Sequence, residues 1–395
     1  VWPRRIQTPM FKQQLKKLDD QHLLRRLRTI SSATGPTVLL DGREIILLSS
    51  NNYLGLATHP TVVNAAIEAT HRYGAGSGAA RLVCGTLTPH ETLENTLARF
   101  KGTEAALTFA AGYLANISAI PALIGKDGLI FADRLCHASL VDGCRLSGAT
   151  FRVYRHGDMN HLEQLLARRP AAQRTLIVTD GIFSMDGDIA PMKDMAHLAE
   201  RYGAEIYVDD AHGTGILGRT GRGTLEHCEV ESRVPYQMGT LSKAIGSAGG
   251  YLAGSATFIT YLVNTCRGFI YTTATPPGIA AAATAAIQVI EQEPERRTRL
   301  WRNRERLAQG LIRLGFRLAA SESPILPVII GDPDRAMNLA QALLTEGVYA
   351  PAIRPPTVPP ATSRIRLTIT ADHTDEQIDR ALAALERAGR SLNLI

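Results

Sequence analysis

The sequence has 395 residues, of which 45% are hydrophobic and 20% charged, and its formal net charge is +6. This composition is typical of a globular protein rather than a disordered one, and the length suits a large domain with a smaller one beside it. No apolar run reaches the ~18 residues of a membrane span, and the small excess of positive charge does not favour a nucleic-acid partner.

The five cysteines are scattered along the chain and include no CxxC pair. The sequence therefore predicts neither a disulfide framework nor a zinc site. We expect reduced thiols in a cytoplasmic protein, no bound metal ion and no membrane partner. The cysteines are Cys84, Cys136, Cys144, Cys228 and Cys266.

Residues 1–45 are predicted to form an N-terminal arm made of a helix and a hairpin. The helix is predicted over residues 9–30, where leucines recur roughly along one stripe. The many basic residues of this arm fit a solvated amphipathic helix, which we favour, or attraction to an anionic partner. Two apolar runs on either side of Asp41-Gly42 predict the hairpin.

Residues 46–288 are predicted to form a large α/β domain. Helical patterns alternate there with short apolar runs, among them EAALTFA, GLIFAD, TLIVTD and AEIYVDD. Continuous apolar strands between helices are typical of a mostly parallel sheet that is covered on both faces. Ligands of such sheets bind at the carboxyl ends of the strands.

Residues 289–395 are predicted to form a smaller α+β C-terminal domain. A charged helix precedes the strand ILPVIIG, and a second helix and a proline-rich loop follow it. The strand SRIRLTIT and a last helix complete this domain. The sequence contains neither an internal repeat nor a long low-complexity linker.

Two segments of the large domain carry candidate catalytic chemistry. Asp209 ends the run AEIYVDD and is followed by His212, which suggests a site at the sheet edge, although a carboxylate there could merely cap the next turn. Lys243 lies in GTLSKAIGSAGG, where small residues would let a bulky ring approach the backbone. Desolvation of such a lysine lowers its pKa and frees the neutral amine that a Schiff base requires. An exposed loop lysine is the alternative.

Four further positions are weaker candidates. Ser184 in TDGIFSMDGD could donate a hydrogen bond to a cofactor or only form a turn, and His137 in DRLCHASLVDG could stack on a flat ring or lie in the core. Gly112 and Tyr113 open a helix, whose N-terminal N–H groups would suit a phosphate. The segment GAGSGAAR (74–81) follows a helix and lacks a Walker lysine, so we reject nucleotide binding there.

Taken together, these segments resemble a known family, the α-oxoamine synthases, which are fold-type-I pyridoxal-phosphate enzymes. The resemblance runs in order from about residue 45 to 385 and rests on SSNNYLGLATHP, GAGSGAARLVCGT, DRLCHASLVDG, TDGIFSMDGD, VDDAHGTG, GTLSKAIG and IRPPTVPPATSRIRLT. It implies a large domain with a mostly parallel central sheet, a smaller α+β C-terminal domain, and pyridoxal 5'-phosphate as the cofactor.

The resemblance also implies roles for matched residues. Lys243 matches the lysine that holds the cofactor as a Schiff base, and Asp209 matches the acid that pairs with its pyridine nitrogen. His137 matches the histidine that stacks over the ring and faces the substrate. The other matched positions around the cofactor are Gly112, Tyr113, Ser184, His212 and Thr240.

Substrate positions follow from the same resemblance. Arg366 matches the arginine that fixes the amino-acid carboxylate, a task that suits a guanidinium fork, with Asn51 as a helper. Thr357 and Arg25 match positions near the acyl substrate. Where the family often has Asn-Asp, this chain has Asn51-Asn52, which weakens any role given to position 52.

The implied reaction is a decarboxylative condensation of an amino acid with an acyl thioester of coenzyme A or acyl-carrier protein. The proline-rich ending most resembles members that use L-alanine and a pimeloyl thioester, whereas NNYLGLA and TLSKAIG equally resemble members that use glycine and acetyl-CoA. The family also implies a homodimer with shared active sites, in which Thr272 or Thr273 reaches the neighbouring subunit's phosphate. A non-catalytic partner subunit is the alternative from another class, but it would be expected to lack Lys243 or Asp209.

Overall fold

The computed structural model describes residues 9–20, 23–25 and 27–395. Parts of the predicted N-terminal arm, namely residues 1–8, 21, 22 and 26, lie outside the described residues.

The described residues form alternating helices and strands over most of the chain. The helices are α1 Pro9–Asp20, α2 Pro60–Tyr73, α3 Thr88–Lys101, α4 Gly112–Leu123, α5 Ala138–Leu146, α6 Met159–Ala167, α7 Met192–Tyr202, α8 Thr224–His227, α9 Ala256–Thr265, α10 Arg267–Ile270, α11 Pro277–Gln292, α12 Glu295–Arg313, α13 Pro333–Thr345 and α14 Asp375–Ser391. The strands are β1 Thr37–Leu40, β2 Arg43–Leu47, β3 Ala105–Phe109, β4 Leu129–Asp133, β5 Thr150–Tyr154, β6 Thr175–Asp180, β7 Glu205–Asp209, β8 Tyr236–Thr240, β9 Gly250–Gly254, β10 Ile325–Gly331, β11 Val348–Tyr349, β12 Ala352–Ile353 and β13 Ser363–Thr368.

A seven-stranded sheet of order β3-β9-β8-β7-β6-β4-β5 forms the centre of the molecule. Its strands are parallel except β9, which runs antiparallel to β3 and β8. Strands β4, β6 and β7 are buried at every position or nearly so, because helices cover both faces of the sheet. The predicted α/β class with a mostly parallel sheet is confirmed.

The parallel strands bring their carboxyl ends to one edge of the sheet. Asp180 at the end of β6 stands beside Asp209 at the end of β7, and Asp209 stands beside Met238 of β8. The candidate residues that follow these strands therefore meet at this edge, as expected for a ligand site in such a sheet.

Two smaller sheets lie outside the central one. Strands β10, β13 and β12 form an antiparallel sheet, which with α12, α13 and α14 makes the predicted C-terminal α+β part. The predicted hairpin is present as β1 and β2, joined through Asp41 and Gly42 with φ of 50° and 75°. Positive φ at both turn residues is what a two-residue hairpin requires. Strand β2 also pairs in parallel with β11.

The N-terminal helix is shorter than predicted, because α1 ends at Asp20 and the described residues from 23 to 29 are not helical. Asp19 and Asp20 put negative charge at the end of the helix, where the macrodipole disfavours it. The leucine stripe therefore does not continue, and Leu27 is fully exposed.

Three strands of the central sheet were not predicted, namely β5, β8 and β9. The segments YQMGT and GYLAG contain glycine and polar residues, yet β8 and β9 are buried throughout. Tertiary burial between neighbouring strands overrides their weak local preference for strand.

The predicted boundaries after residues 45 and 288 fall within β2 and α11. The division of the chain into residues 1–45, 46–288 and 289–395 therefore stays a prediction. In the part of the chain that the structure describes, no helix is long and apolar enough to cross a membrane.

Candidate active site

Asp209 is a buried carboxylate with an incomplete set of partners. Its Oδ2 accepts a hydrogen bond of 2.7 Å from Asn116 Nδ2, and its Oδ1 accepts one of 3.0 Å from the backbone N–H of Ala211. The residue is 5% exposed, and among the described residues no cation lies within ion-pair distance of it. Because a buried carboxylate without a counter-charge is costly, this position suits a cationic ring nitrogen.

Asp180 stands beside Asp209 at the edge of the sheet. Burial, followed by repulsion from Asp209, raises the pKa of Asp180 well above its usual range. Its Oδ2 accepts a hydrogen bond of 2.8 Å from the backbone N–H of His137. The protonated form of Asp180 is therefore favoured by its position next to a second buried carboxyl group.

Lys243 follows β8 at the same edge of the sheet. Burial lowers the pKa of this amine most strongly, and the positive charge of Arg366 lowers it further. The negative charges of Asp209 and Asp180 act in the opposite direction, and the resulting pKa is about 8. The sequence predicted a lowered pKa for this lysine on the same grounds, desolvation among small residues. A substantial fraction of the amine is therefore neutral near physiological pH.

The surroundings of His212 favour its neutral form. Its Nδ1 lies 2.8 Å from the hydroxyl of Tyr53, which is also 3.4 Å from Asn51 Oδ1. Burial and the positive charges of Lys243 and Arg366 lower the pKa of His212 well below its usual value. The structure thus brings His212 and Asn51 together through Tyr53, a residue that the sequence analysis did not single out.

Arg366 on β13 reaches the same site from the C-terminal sheet. It is 8% exposed, and its Nε donates a hydrogen bond of 2.6 Å to the backbone oxygen of Ser184. Among the described residues no carboxylate pairs with this guanidinium, although its charge influences Tyr53 and Lys243. A buried guanidinium without a counter-ion suits a substrate carboxylate.

The loop of residues 181–188, which carries Ser184, is held from two sides. Arg364 pairs with Asp186 at 2.5 Å, and His156 lies 2.9 Å from both Asp133 and Asp188. Burial alone would lower the pKa of His156, but the hydrogen bonds and charges of the two aspartates outweigh it and raise the pKa to about 10. The sequence analysis predicted that the side chain of Ser184 could donate a hydrogen bond to a cofactor. In the structure, the backbone oxygen of Ser184 accepts the hydrogen bond from Arg366 Nε.

His137 caps the N-terminus of α5 and keeps solvent access. Its Nδ1 lies 2.7 Å from Ser139 Oγ and 3.3 Å from the backbone nitrogen of Ser139. Desolvation and the charge of Lys243 lower the pKa of His137, while Asp209 opposes that change. The structure therefore places His137 at the site rather than in the hydrophobic core.

The N-terminus of α4 forms a cradle at the edge of the sheet. A Cβ added to Gly112 would lie 2.9 Å from Met238 Cε and 3.5 Å from Thr240 Oγ1, so only glycine fits without displacement. Thr240 is buried and binds Ser242 Oγ and the backbone oxygen of Gly249. The unpaired N–H groups at this helix end can bind a phosphate. Tyr113 is exposed and donates a hydrogen bond to Asp142.

The arrangement fits pyridoxal phosphate. It offers a partly neutral lysine, a buried carboxylate without a counter-charge for the ring nitrogen, and a glycine-opened helix N-terminus for the phosphate. Each of these features matches one chemical group of that cofactor.

Thr272 and Thr273 lie close to the segment that precedes α4. They line a small cavity with Phe109 and Ala110, just before α4, and Thr273 bridges to Ala80. The suggestion that one of them binds the neighbouring subunit's phosphate stays a prediction.

Arg25 and Thr357 lie together in a separate cavity of about 400 Å³. Arg28 and Arg354 line it too, and none of the described residues that line it is acidic. Its apolar wall comes from α13, β12 and the chain before the hairpin, and includes Leu23, Leu24, Met337, Leu344 and Ile353. The cavity can therefore hold an apolar chain with a negatively charged group.

Sequence reasoning missed several residues of the site: Tyr53, Asn116, Ser139, Asp180 and Arg354. Tyr53 lies within the quoted segment SSNNYLG, and Asn116 lies one helical turn after Gly112. Both positions could have been found from these spacings, whereas the contact of Asn116 with Asp209 joins residues 93 positions apart.

Comparison with known proteins places the chain in a family. The family model "Aminotransferase class I and II" matches residues 43–385. The 8-amino-7-oxononanoate synthase of Geobacter sulfurreducens is 50% identical over 97% of this chain and 98% of that protein. The 8-amino-7-oxononanoate synthase 1 of Bacillus subtilis is 44% identical over 98% of each.

Solved structures agree with this assignment. Serine palmitoyltransferase of Sphingomonas wittichii is 34% identical, has a TM-score of 0.93 and is matched over 100% of both chains. The 8-amino-7-oxononanoate synthase of Francisella tularensis is 27% identical, with a TM-score of 0.76 over 88% of this chain and 98% of the other. The chain therefore belongs to the α-oxoamine synthases, within the class I and II aminotransferase family. The predicted fold type and the predicted cofactor, pyridoxal phosphate, are confirmed.

The pKa of Lys243 predicts how fast the apoprotein binds its cofactor covalently. Only the neutral amine attacks an aldehyde, so the rate of pyridoxal-phosphate uptake should rise with pH through about 8 and then level off. Rapid-mixing absorbance measures this rate, with Nα-acetyl-lysine, whose only amine is a side chain with a pKa of about 10.4, as the reference. If the rate for the protein rose only at the high pH at which that of Nα-acetyl-lysine rises, the lowered pKa would be contradicted.

Proposed function

We propose that this chain catalyses the decarboxylative condensation of L-alanine with a pimeloyl thioester, giving 8-amino-7-oxononanoate, CO₂ and the free thiol, a step of biotin biosynthesis. Near-full-length identity of 44–50% to 8-amino-7-oxononanoate synthases supports this reaction. The geometry supports the same class of substrates, because a buried guanidinium without a carboxylate partner among the described residues could bind an amino acid, and a cationic cavity with an apolar wall could bind an acyl chain.

The observation that carries the amino-acid subsite is the buried Arg366 without a counter-ion beside Lys243. A carboxylate bound by its terminal nitrogens would supply the missing charge, and Ser184 O keeps the guanidinium in place through Nε. Tyr53 contacts Arg366 and donates to Asn51 Oδ1, so the side-chain amide of Asn51 keeps its N–H groups for a second substrate atom. Arg366 thereby fixes the angle at which the α carbon is presented to Lys243, which governs the bond that breaks.

The chain's own groups can also move the protons that the reaction requires. Lys243 would hold the cofactor and, as a neutral amine, take the proton from the α carbon and later return one. Asp209 would hold the proton on the ring nitrogen, because Asn116 and the backbone N–H of Ala211 fix the position of its carboxylate. When bound, pyridoxal phosphate supplies an electron sink for the charge left on the α carbon.

The cavity that contains Arg25 and Thr357 is proposed as the acyl site. Arg25, Arg28 and Arg354 form no ion pair among the described residues, and the cavity has an apolar wall. An acyl chain with a terminal carboxylate, such as pimeloyl, fits this lining better than a simple alkyl chain does. Glycine and acetyl-CoA would leave this positive charge without a partner, and we therefore rank that reaction second.

A homodimer with shared active sites is also proposed. Large apolar side chains are exposed in the segment after residue 80 and near Thr272, among them Val83 at 78% and Tyr271 at 70%. Ala80 and Thr273 connect these two segments by a β-bridge, so the exposed surface is continuous. A surface of this kind suits a partner subunit.

We also propose a cytoplasmic location, which is supported by the five cysteines, since they form no disulfide.

The reaction is tested by incubating the holoenzyme with each pair of substrates. L-alanine and pimeloyl-CoA or pimeloyl-acyl-carrier protein should release thiol and form 8-amino-7-oxononanoate, detected by mass spectrometry. Thiol release only with glycine and acetyl-CoA would move the assignment to a 2-amino-3-ketobutyrate-forming enzyme. No thiol release with any pair would refute the catalytic proposal.

Replacing Arg366 tests the carboxylate subsite. Arg366→Gln should raise the KM for L-alanine by about 10- to 100-fold, the effect of a lost charged hydrogen bond of about 1.5–3 kcal/mol, with little change in KM for the thioester. Steady-state kinetics with each substrate varied in turn measures this.

Arg364→Gln is the matched control, since Arg364 lies on the same strand and contacts the same loop through Asp186. An equal rise in the KM for alanine in both variants would mean that loop displacement, rather than loss of the carboxylate partner, is the cause.

The acyl cavity predicts selectivity for a terminal carboxylate. Arg25→Gln and Arg354→Gln should each reduce the preference for pimeloyl-CoA over heptanoyl-CoA about tenfold, since each removes one cationic partner. The ratio of kcat/KM for the two thioesters measures the preference. Arg313→Gln, at an exposed position of α12, is the control. An unchanged preference in both cavity variants would mean that the terminal carboxylate of the acyl chain does not bind in this cavity.

A further inference from the structure

A continuous chain of side-chain hydrogen bonds joins Asp209 to His137. Asn116 Nδ2 lies 2.7 Å from Asp209 Oδ2 and 2.8 Å from Ser139 Oγ, and Ser139 Oγ lies 2.7 Å from His137 Nδ1. Tyr207 adds a contact of 2.8 Å to Asn116 Oδ1. All members except His137 are buried, so solvent does not compete for these bonds.

The direction of each bond follows from the chemistry of its ends. An ionised carboxylate only accepts, so the amide of Asn116 must turn its Nδ2 to Asp209. Burial raises the pKa of Tyr207 well above its usual value, so its hydroxyl keeps its hydrogen and donates it to Asn116 Oδ1. Both contacts select the same orientation of the amide.

The contacts of Ser139 favour donation to His137. The second hydrogen on Asn116 Nδ2 is donated to Ser139 Oγ, and the hydroxyl's own hydrogen remains available for His137 Nδ1. The backbone N–H of Ser139 also points at Nδ1, from 3.3 Å. Two hydrogens directed at one ring nitrogen require that nitrogen to be the unprotonated acceptor.

We propose that Asn116 and Ser139 are positioning residues that hold His137 as the neutral tautomer with its hydrogen on Nε2. Nε2 makes no hydrogen bond to any described residue, so its hydrogen is available to a bound molecule. On the proposed function, this hydrogen is donated to a substrate oxygen, either the thioester carbonyl or the amino-acid carboxylate. The assignment of this tautomer does not depend on the proposed function.

The same network disfavours the imidazolium form. A hydrogen on Nδ1 would face both hydrogens from Ser139, which agrees with the lowered pKa of His137. The charged or titratable groups around the ring are Asp209 on β7, Asp180 on β6, Asp142 on α5, and Lys243 and His212 in the loops after β8 and β7. Removing the Ser139 hydroxyl should therefore raise the pKa of His137 without altering any of these groups.

Nitrogen-15 NMR of the holoenzyme, with both histidine ring nitrogens labelled and His137 assigned from His137→Gln, tests this directly. The ratio of the Nε2–H to the Nδ1–H form at His137 should exceed that of exposed His71 in the same spectrum. In Ser139→Ala the ratio should fall about fivefold, the usual effect of one hydrogen bond, and the pKa of His137 should rise. Ser139→Thr keeps the hydroxyl and should restore both values.

Ser147→Ala is the matched control, because Ser147 ends the same helix but binds the backbone oxygen of Cys144, and it should leave His137 unchanged. A dominant Nδ1–H form in the unmodified protein, or the same ratio in Ser139→Ala, would overturn the proposal. Failure of the condensation assay together with the expected tautomer would refute the proposed function alone, so the two failures are distinguishable.

Discussion

The structure of this site depends on one buried charge, the carboxylate of Asp209 at the carboxyl end of β7. Two N–H donors fix it, and no described cation lies within ion-pair distance of it, so it suits a positive partner. Burial, followed by repulsion from this carboxylate, raises the pKa of the neighbouring Asp180 well above its usual range. The hydrogen bond from Asn116 to the same carboxylate also starts the chain that ends on His137.

The positively charged side chains of Lys243 and Arg366 form no ion pair with a carboxylate among the described residues, which leaves them available to a bound cofactor or substrate. Lys243 has its pKa lowered to about 8, so it alternates between a base and an acid near neutral pH. Arg366 cannot lose its proton and is therefore available for a carboxylate. His212 stays neutral because it lies close to both cations.

The loop of residues 181–188 joins the two parts of the molecule at the site. His156 connects this loop to β4 through Asp133, and Arg364 connects the loop to the C-terminal sheet through Asp186. Its Ser184 carbonyl then fixes Arg366, which comes from that same sheet. The orientation of Arg366 thus depends on contacts on both sides of the loop.

The sequence by itself determined the α/β class, the position of Asp209 after a strand of the central sheet, and the desolvated lysine at position 243, because apolar runs and small residues are local signals. It did not predict β8 and β9, whose polar and glycine-rich segments become strands only through burial between neighbours. Tertiary structure alone decided the partners of Asp209 and Arg366, since Asn116 lies 93 residues and Ser184 lies 182 residues away from them along the chain. Hydrogen-bond direction and charge compensation depend on such distant neighbours, and no local pattern encodes them.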